Sequence, residues 1–397
     1  MQMRRLQNRI GHGIIFGIRL TVMMSKAITI PKIRGPYYDP RLTKDKTIRF
    51  GTQYPLEMEI NDSRNGEIWR ILGLIDGKRT TLEIIGELEG EIKDANELTL
   101  NLIENLGRQG IVYDANSKET TEGLTPAEIQ RYARNTRYFS WIMPNDREFN
   151  YSPQVKLKHA KVTVLGVGGL GSSVAASLVA TGVGNIHLLD YDKVESSNLN
   201  RQVLYSEEDV GKSKVVVAYE KLSKLNSSVH ITYEERKISG VGDFVELLGS
   251  TDILVLGADK PEAIGIWCSE AALQVGTPWI SGGYFGPKFI CEGFIPHETG
   301  CLECYTIGFM NNQSEVVIDL RDENYNASIA PTSTISAQLV ALDVIHYLIG
   351  FRTQFFGRRY IGNALSVDLS LFQDIKKVPS CPKCGESGLF SKRRGQV

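Results

Sequence analysis

The chain has 397 residues, a formal net charge of −1, 42% hydrophobic and 23% charged residues. That length suits two to three domains of about 150 residues, and the apolar share is enough for packed cores. A near-zero charge gives no bulk attraction to nucleic acid or a membrane surface, and the lack of repeats or low-complexity tracts argues against a scaffold.

Residues 1–24 place Arg4, Arg5 and Arg9 before an apolar run, in the manner of a secretion signal. Arg19 interrupts that run and no small-residue cleavage site follows, so export is not expected, and Met23 or Met24 is an alternative start. Residues 1–45 are read as an N-terminal extension, partly disordered. Residues 47–60 alternate apolar and polar side chains like a pair of short strands. Apolar residues recur at helical spacing over 66–74, 81–88 and 95–106, and 111–113 reads as a closing strand. Two or three strands with three helices make a small winged-helix-like α+β module over 46–115. Its layout resembles the PqqD-like recognition domain of enzymes that modify ribosomally made peptides. The resemblance implies a leader peptide that adds as a strand to the module's edge, with backbone pairing supplying affinity and side-chain pockets supplying register. A winged helix can also bind DNA, but this one is rich in acids such as Glu59, Asp62, Glu83 and Glu87, with few basic residues to meet phosphate. A dimerisation or packing appendage is the plainer alternative, because fold does not give function. Residues 116–130, beginning in a polar run, read as a linker.

The second module is expected over 131–390. The β-branched apolar run 162–165 leads into Gly166, Gly168 and Gly171, and 172–181 has the small, apolar composition of a packed helix. Strand, tight turn and helix in that order let the backbone approach a phosphate, and the helix N-terminus adds unpaired N–H groups. Alone, GxGxxG is a weak signal. The next strand, 186–189, ends in Asp190, Tyr191 and Asp192, about 20 residues past the glycines, where an acid commonly meets ribose hydroxyls. A dehydrogenase would be the default reading, but it gives no reason for Arg201 and Gln202 in SNLNRQ or for Lys214 after DVGKS. Cations so placed suit a triphosphate and could neutralise charge as pyrophosphate leaves. Each alone would read as a solvated surface charge. Further on, the apolar strand 253–256 ends shortly before Asp259.

The run from the glycine loop to Lys214 resembles the adenylating domain of the ubiquitin-activating superfamily, to which ThiF, MoeB and MccB proteins belong. The resemblance implies an α/β fold, a Rossmann-like doubly wound adenylation domain. By it Gly166, Gly168 and Gly171 line the ATP phosphates, Asp190 binds the ribose with Asp192 also at the nucleotide, Asn198, Arg201, Gln202 and Lys214 hold the triphosphate, and Asp259 organises magnesium. One aspartate suffices for Mg2+ when phosphate oxygens complete its octahedron. RYARN at 131–135 resembles the family's RYxRQ signature, where the arginine matching Arg134 reaches the partner subunit's ATP; this implies a homodimer.

Four of the six cysteines fall as Cys301, Cys304 and Cys381, Cys384. Two CxxC knuckles read as a tetrahedral Zn(Cys)4 site, structural because no position is left open for water. A redox CxxC would need a thioredoxin-like strand context that is missing, and two unrelated pairs of buried thiols are the other reading. Cys268 lies in helical apolar spacing and Cys291 in strand-like alternation, so both read as buried, inert thiols and not as thioester nucleophiles. A polar segment follows the first knuckle and precedes a helix expected over 334–348; the resemblance implies that it passes over the acceptor carboxylate. Arg321 is its candidate substrate contact, with a surface ion pair to Asp319 or Asp322 as the alternative.

MoeB- and ThiF-like members carry TDN and an arginine a few residues on. Here Lys260 and Pro261 follow Asp259, and the arginine's place falls near Ile264, so a ubiquitin-like carrier protein is the less expected substrate. The reading is therefore an ATP-dependent enzyme that binds a ribosomal precursor peptide through residues around 47–115. It activates one of the peptide's carboxylates as an acyl-adenylate, with dehydrative cyclisation of the pantocin type to follow. MccB-like adenylation at a peptide C terminus and MoeB/ThiF-like adenylation of a sulfur-carrier protein are the alternatives, and a non-catalytic peptide-presenting subunit is a third. ATP, Mg2+ and Zn2+ are the expected cofactors. A cytoplasmic homodimer, engaging neither nucleic acid nor membrane, is the expected setting.

Overall fold

The computed structural model describes residues 28–35, 38–51, 58–62, 65–144, 147–312, 327–366 and 370–391. It divides into two compact units, Met1–Pro153 and Gln154–Val397. Arg321 lies outside the described residues.

In the first unit β1 (Pro31–Ile33) is followed by β2 (Pro40–Leu42), β3 (Thr47–Phe50) and β4 (Met58–Asn61). The last three form an antiparallel sheet in that order, which leaves β4 at an edge. Alternation along β3 buries Ile48 and Phe50 completely and turns Arg49 outward, where it pairs with Glu59 of β4. Helices α1 (Glu67–Leu72), α2 (Thr81–Leu88) and α3 (Ala95–Arg108) lay Ile71, Ile84, Leu88 and Leu106 on the same core. α2 starts where a capping box can form: the Thr80 hydroxyl accepts from Glu83 N while the Glu83 carboxylate accepts from Thr80 N. The strand expected to close the module is β5 (Val112–Asp114), but it pairs with β1 and not with the three-stranded sheet. Both β1 and β2 come from the stretch that local pattern left as an extension. α4 (Pro126–Arg131) and α5 (Ala133–Ile142) follow, α4 opening on a second capping box, Thr125 with Glu128.

After α6 (Ser152–His159), the second unit alternates strands and helices: β6 (Lys161–Leu165), α7 (Gly169–Thr181), β7 (Asn185–Leu189), α8 (Lys214–Leu225), β8 (His230–Glu234), α9 (Val241–Leu248), β9 (Ile253–Leu256) and α10 (Ile264–Val275). There follow β10 (Trp279–Phe285), β11 (Lys288–Phe294), α11 (Leu302–Asn312), α12 (Ala330–Ile349), β12 (Arg358–Asn363) and β13 (Leu371–Asp374). They build one sheet in the order β13-β12-β11-β10-β9-β6-β7-β8, parallel from β10 to β8 and antiparallel from β10 to β13. The chain leaves β6 toward β7 on one side and returns as β9 on the other. This reversal opens a crevice at the carboxyl ends of β6 and β9, the place where doubly wound sheets bind ligands. The fold is the Rossmann-like α/β arrangement expected.

α12 begins earlier than its apolar pattern suggested, because Pro331 sits in its first turn, where the missing N–H would have had no partner. This helix is long and apolar enough to cross a membrane, but 61% of that stretch is buried against the sheet and α7, as in a core helix. Asp343 on α12 is 1% exposed and accepts from the backbone N–H groups of Gln354 (2.6 Å) and Phe355 (2.9 Å), pinning the turn after the helix. Burial outweighs those bonds and pushes its carboxyl up to about 6. The native state thus keeps a proton that the unfolded chain gives up, so this group's contribution to stability falls as pH rises from about 4 to about 6, by roughly 3 kcal/mol. Urea unfolding of the wild type and Asp343→Asn at pH 4 and pH 7 should show this slope in the wild type and its loss in the variant.

Candidate active site

The glycine loop is shaped by two close backbone approaches and one open position. Gly166 has φ +86°, and a Cβ there would stand 2.7 Å from Ala258 N at the end of β9. A Cβ on Gly171 would stand 1.8 Å from Gly166 O, so α7 can begin this close to β6 only with glycine. Gly168 differs. The nearest atom to a Cβ there is Gln202 Nε2 at 3.6 Å, so its missing side chain leaves space in front of the α7 N-terminus. That end of α7 points unpaired N–H groups and a positive dipole into the gap.

Asp190, at the end of β7, is buried, and its two oxygens accept from Val167 N and Asp192 N at 2.8 Å each. It fixes the glycine loop from within, while burial raises its carboxyl above the ordinary value. Tyr205 braces the same loop by donating to Val167 O at 2.7 Å. Lys214 opens α8 with its side chain 7% exposed and its Nζ 2.9 Å from Asp192 Oδ2. Asn198 and Gln202 are both buried in the turn after β7, the Asn198 carbonyl accepting from Gln202 N. Arg201 is fastened to Ser197 O and Asn200 Oδ1. Arg201 Nε and Gln202 Oε1 are buried with no hydrogen-bond partner. The Arg201 N–H is a donor left unmet beside an open glycine cradle and fits an anionic ligand, while Gln202 Oε1, an acceptor, fits a donor such as a ligand hydroxyl.

These residues, with Asp259, line a cavity of about 860 Å³ at the switch point. Gly166, Gly168, Asp190, Asp192, Asn198, Arg201, Gln202, Lys214 and Asp259 are thereby brought together. Gly171 serves by packing and does not line it. Asp259 is exposed three residues past the end of β9. Arg134 is exposed on α5 of the first unit. Pattern reading missed Tyr284 of β10, whose hydroxyl crowds Gly169, and the pair Glu292 and Arg359 on β11 and β12. No local motif marks them, since they reach the cavity through strand order.

The four knuckle cysteines converge, with Sγ atoms all within 4.8 Å of one another. The Cys301–Cys304 and Cys301–Cys381 separations of 3.8 and 3.7 Å match the roughly 3.8 Å that tetrahedral zinc–sulfur bonds of about 2.3 Å impose. Leu273, Ile307, Val378 and Phe390 wrap the cluster. The donor set therefore fits zinc, which would hold residues 378–390 to α10 and α11. Cys268 and Cys291 lie elsewhere and buried, and burial pushes the Cys268 thiol well up and that of Cys291 up to about 12. Thiols so protonated make poor nucleophiles.

A doubly wound sheet with an open glycine cradle, orphaned polar atoms at its switch point and a four-cysteine knuckle defines a nucleotide-binding α/β protein. Residues 132–385 match the model of the ThiF family, and the chain belongs to that family. It is 30% identical over 270 residues to the sulfur carrier protein adenylyltransferase of Thermus thermophilus, covering 66% of this chain and 93% of the relative. It is also 30% identical over 265 residues to the adenylyltransferase and sulfurtransferase MOCS3 of Bos taurus, of which it spans only 54%. Among solved structures, E. coli MccB superposes with a TM-score of 0.73 at 24% identity, covering 92% of this chain and 99% of MccB, a likeness of fold. PaaA gives 0.64 at 26% identity, covering 86% and 99%.

Proposed function

We propose that the chain is an ATP-dependent adenylating enzyme whose acceptor is a carboxylate of a ribosomally made precursor peptide. Adenylation rests on the family and on the cavity. In this reading Gly168 and the α7 N-terminus cradle the phosphates, Asn198 and Gln202 hydrogen-bond them, Arg201 and Lys214 neutralise their charge, Asp190 and Asp192 lie toward the ribose, and Asp259 holds Mg2+. A carboxylate oxygen attacks the α-phosphorus, the bond to the β-phosphate oxygen breaks, and pyrophosphate leaves. A peptide amide nitrogen then attacks the acyl carbon, its proton is lost and AMP departs, so the peptide sheds one water overall.

The peptide reading is carried by one observation: the first unit holds a small sheet whose edge strand β4 has no strand partner on its outer side among the described residues. Such an edge accepts an added strand. The match to MccB, solved with MccA, extends over nearly the whole of both chains and so takes in this unit. It supports a PqqD-like role for residues 46–115, followed by a linker to 130 and the adenylation domain over 131–390. The homodimer, with Arg134 reaching a partner's nucleotide, belongs to the same proposal.

The test is intact mass spectrometry of the peptide encoded beside the gene after incubation with the protein and Mg-ATP. Loss of water with stoichiometric AMP is expected, and Arg201→Ala and Asp259→Ala should each slow it about 100-fold while peptide binding persists. Retained nucleotide mass would move the product to the MccB-like branch. The long match to the Thermus thermophilus relative favours a second reading, adenylation of a sulfur carrier. An unchanged peptide, with AMP formed on a carrier protein ending in Gly-Gly, would establish that reading instead.

A further inference from the structure

A row of directly opposed residues crosses the sheet at the mouth of the cavity. Leu165 of β6 faces Leu256 of β9, Leu256 faces Ser281 of β10, Ser281 faces Glu292 of β11, and Glu292 faces Arg359 of β12. Strands lie about 4.8 Å apart, so Arg359 stands roughly 19 Å from Leu165, the residue that opens the glycine loop. A nucleotide on that loop and on Asp190 extends toward β7, the opposite direction. The β11–β12 end of the cavity is left for the other substrate.

That end is built with care for a single cation. The Arg359 side chain is 23% exposed and that of Glu292 11%, with Nε and Oε2 2.7 Å apart and Nη2 donating to Oε1 at 3.2 Å. The Tyr305 ring lies 4.3 Å from the guanidinium carbon, and Nη1 donates to the Tyr305 hydroxyl. Tyr305 follows Cys304 directly on α11, so the cysteine cluster anchors the residue that holds Arg359. A half-buried ion pair gains little for stability over an apolar pair of the same volume. One N–H on each terminal guanidinium nitrogen stays uncommitted at the cavity.

We propose that Arg359, locked by Glu292 and Tyr305, positions the acceptor, its uncommitted N–H groups taking an oxygen of the residue that bears the activated carboxylate. Glu292 gives the cation a second use. An unneutralised arginine would compete for triphosphate or pyrophosphate, whereas the pair offers hydrogen bonds without net charge. The inference rests on the adenylation reading and names the acceptor subsite of that cavity.

The experiment is ATP–pyrophosphate exchange driven by the peptide encoded beside the gene. Arg359→Gln should raise the peptide KM about tenfold or more and leave the ATP KM within about twofold, a split that general damage to the fold would not give. Tyr305→Phe, which keeps the ring and removes one bond, should move the peptide KM the same way by about threefold, and it stands in should Arg359→Gln fold poorly. Glu292→Gln should make added pyrophosphate a stronger inhibitor against ATP, by about fivefold. An unchanged peptide KM in both the Arg359 and Tyr305 variants, or equal rises for peptide and ATP, overturns the assignment while exchange by the wild type keeps the adenylation reading. Absence of exchange by the wild type overturns both.

Discussion

Cys381→Ser is expected to strip the bound zinc and lower the melting temperature by about 10 °C. Cys381 is 1% exposed, and its Sγ faces Cys301 across 3.7 Å, so a serine hydroxyl would leave three thiolates gathered around an incomplete tetrahedron. Structural zinc sites couple metal affinity to folding, and here the metal would join residues 378–390 to α10 and α11 across about 80 positions of chain. Among the described residues the apolar side chains around the cluster are few, and beside them the Lys383–Glu270 ion pair ties the segment to α10. A loss of about 4 kcal/mol corresponds to a shift near 10 °C for a unit of this size. Calorimetry and elemental analysis read the result together: zinc should fall from one per chain toward none. Cys291→Ser, in a buried site away from the cluster, should leave the zinc content unchanged. A Cys381→Ser protein with full zinc and an unchanged transition would remove the structural-metal assignment.

The parts of this molecule legible in its sequence are those carried by short-range rules. The glycine loop, the acid-tipped strand β7, the capped helix α2 and each CxxC knuckle announce themselves within a dozen residues, because sterics, capping and ligand spacing act locally. What stayed hidden depends on partners far along the chain. β1 joins β5 some 80 residues away, and the three strands at the β11–β13 edge bring Glu292 beside Arg359 by register alone. The start of α12 was misplaced because Pro331 reads as a breaker unless one knows that it stands in a first turn. Asp190 shows a subtler limit: its position after the glycines suggested a ligand contact, and the structure adds that one of its oxygens anchors the glycine loop at Val167 N while the other caps its own turn at Asp192 N.

Gly168→Ala should weaken nucleotide binding about 100-fold in a protein that still folds, and the contrast with Gly171 explains why. At Gly168 φ is −76°, outside the left-handed region, and the nearest atom to a new Cβ is the Gln202 amide nitrogen at 3.6 Å, an ordinary contact. The methyl group meets no clash. It would fill the space before the α7 N-terminus where a phosphate must come within hydrogen-bond reach of the loop N–H groups. Affinity for ATP should drop by about 100-fold, the scale of losing two charge-assisted bonds, while the melting temperature stays within about 2 °C of the wild type. At Gly171 the same methyl group would stand 1.8 Å from Gly166 O, inside the packing of α7 against β6, and that variant should fail to fold. Calorimetric titration with ATP beside a melting curve separates the two. If Gly168→Ala binds ATP as the wild type does, the phosphates lie elsewhere. The orphaned Arg201 Nε and Gln202 Oε1 would then need another ligand, because buried polar atoms at the mouth of a cavity are costly to leave unmet.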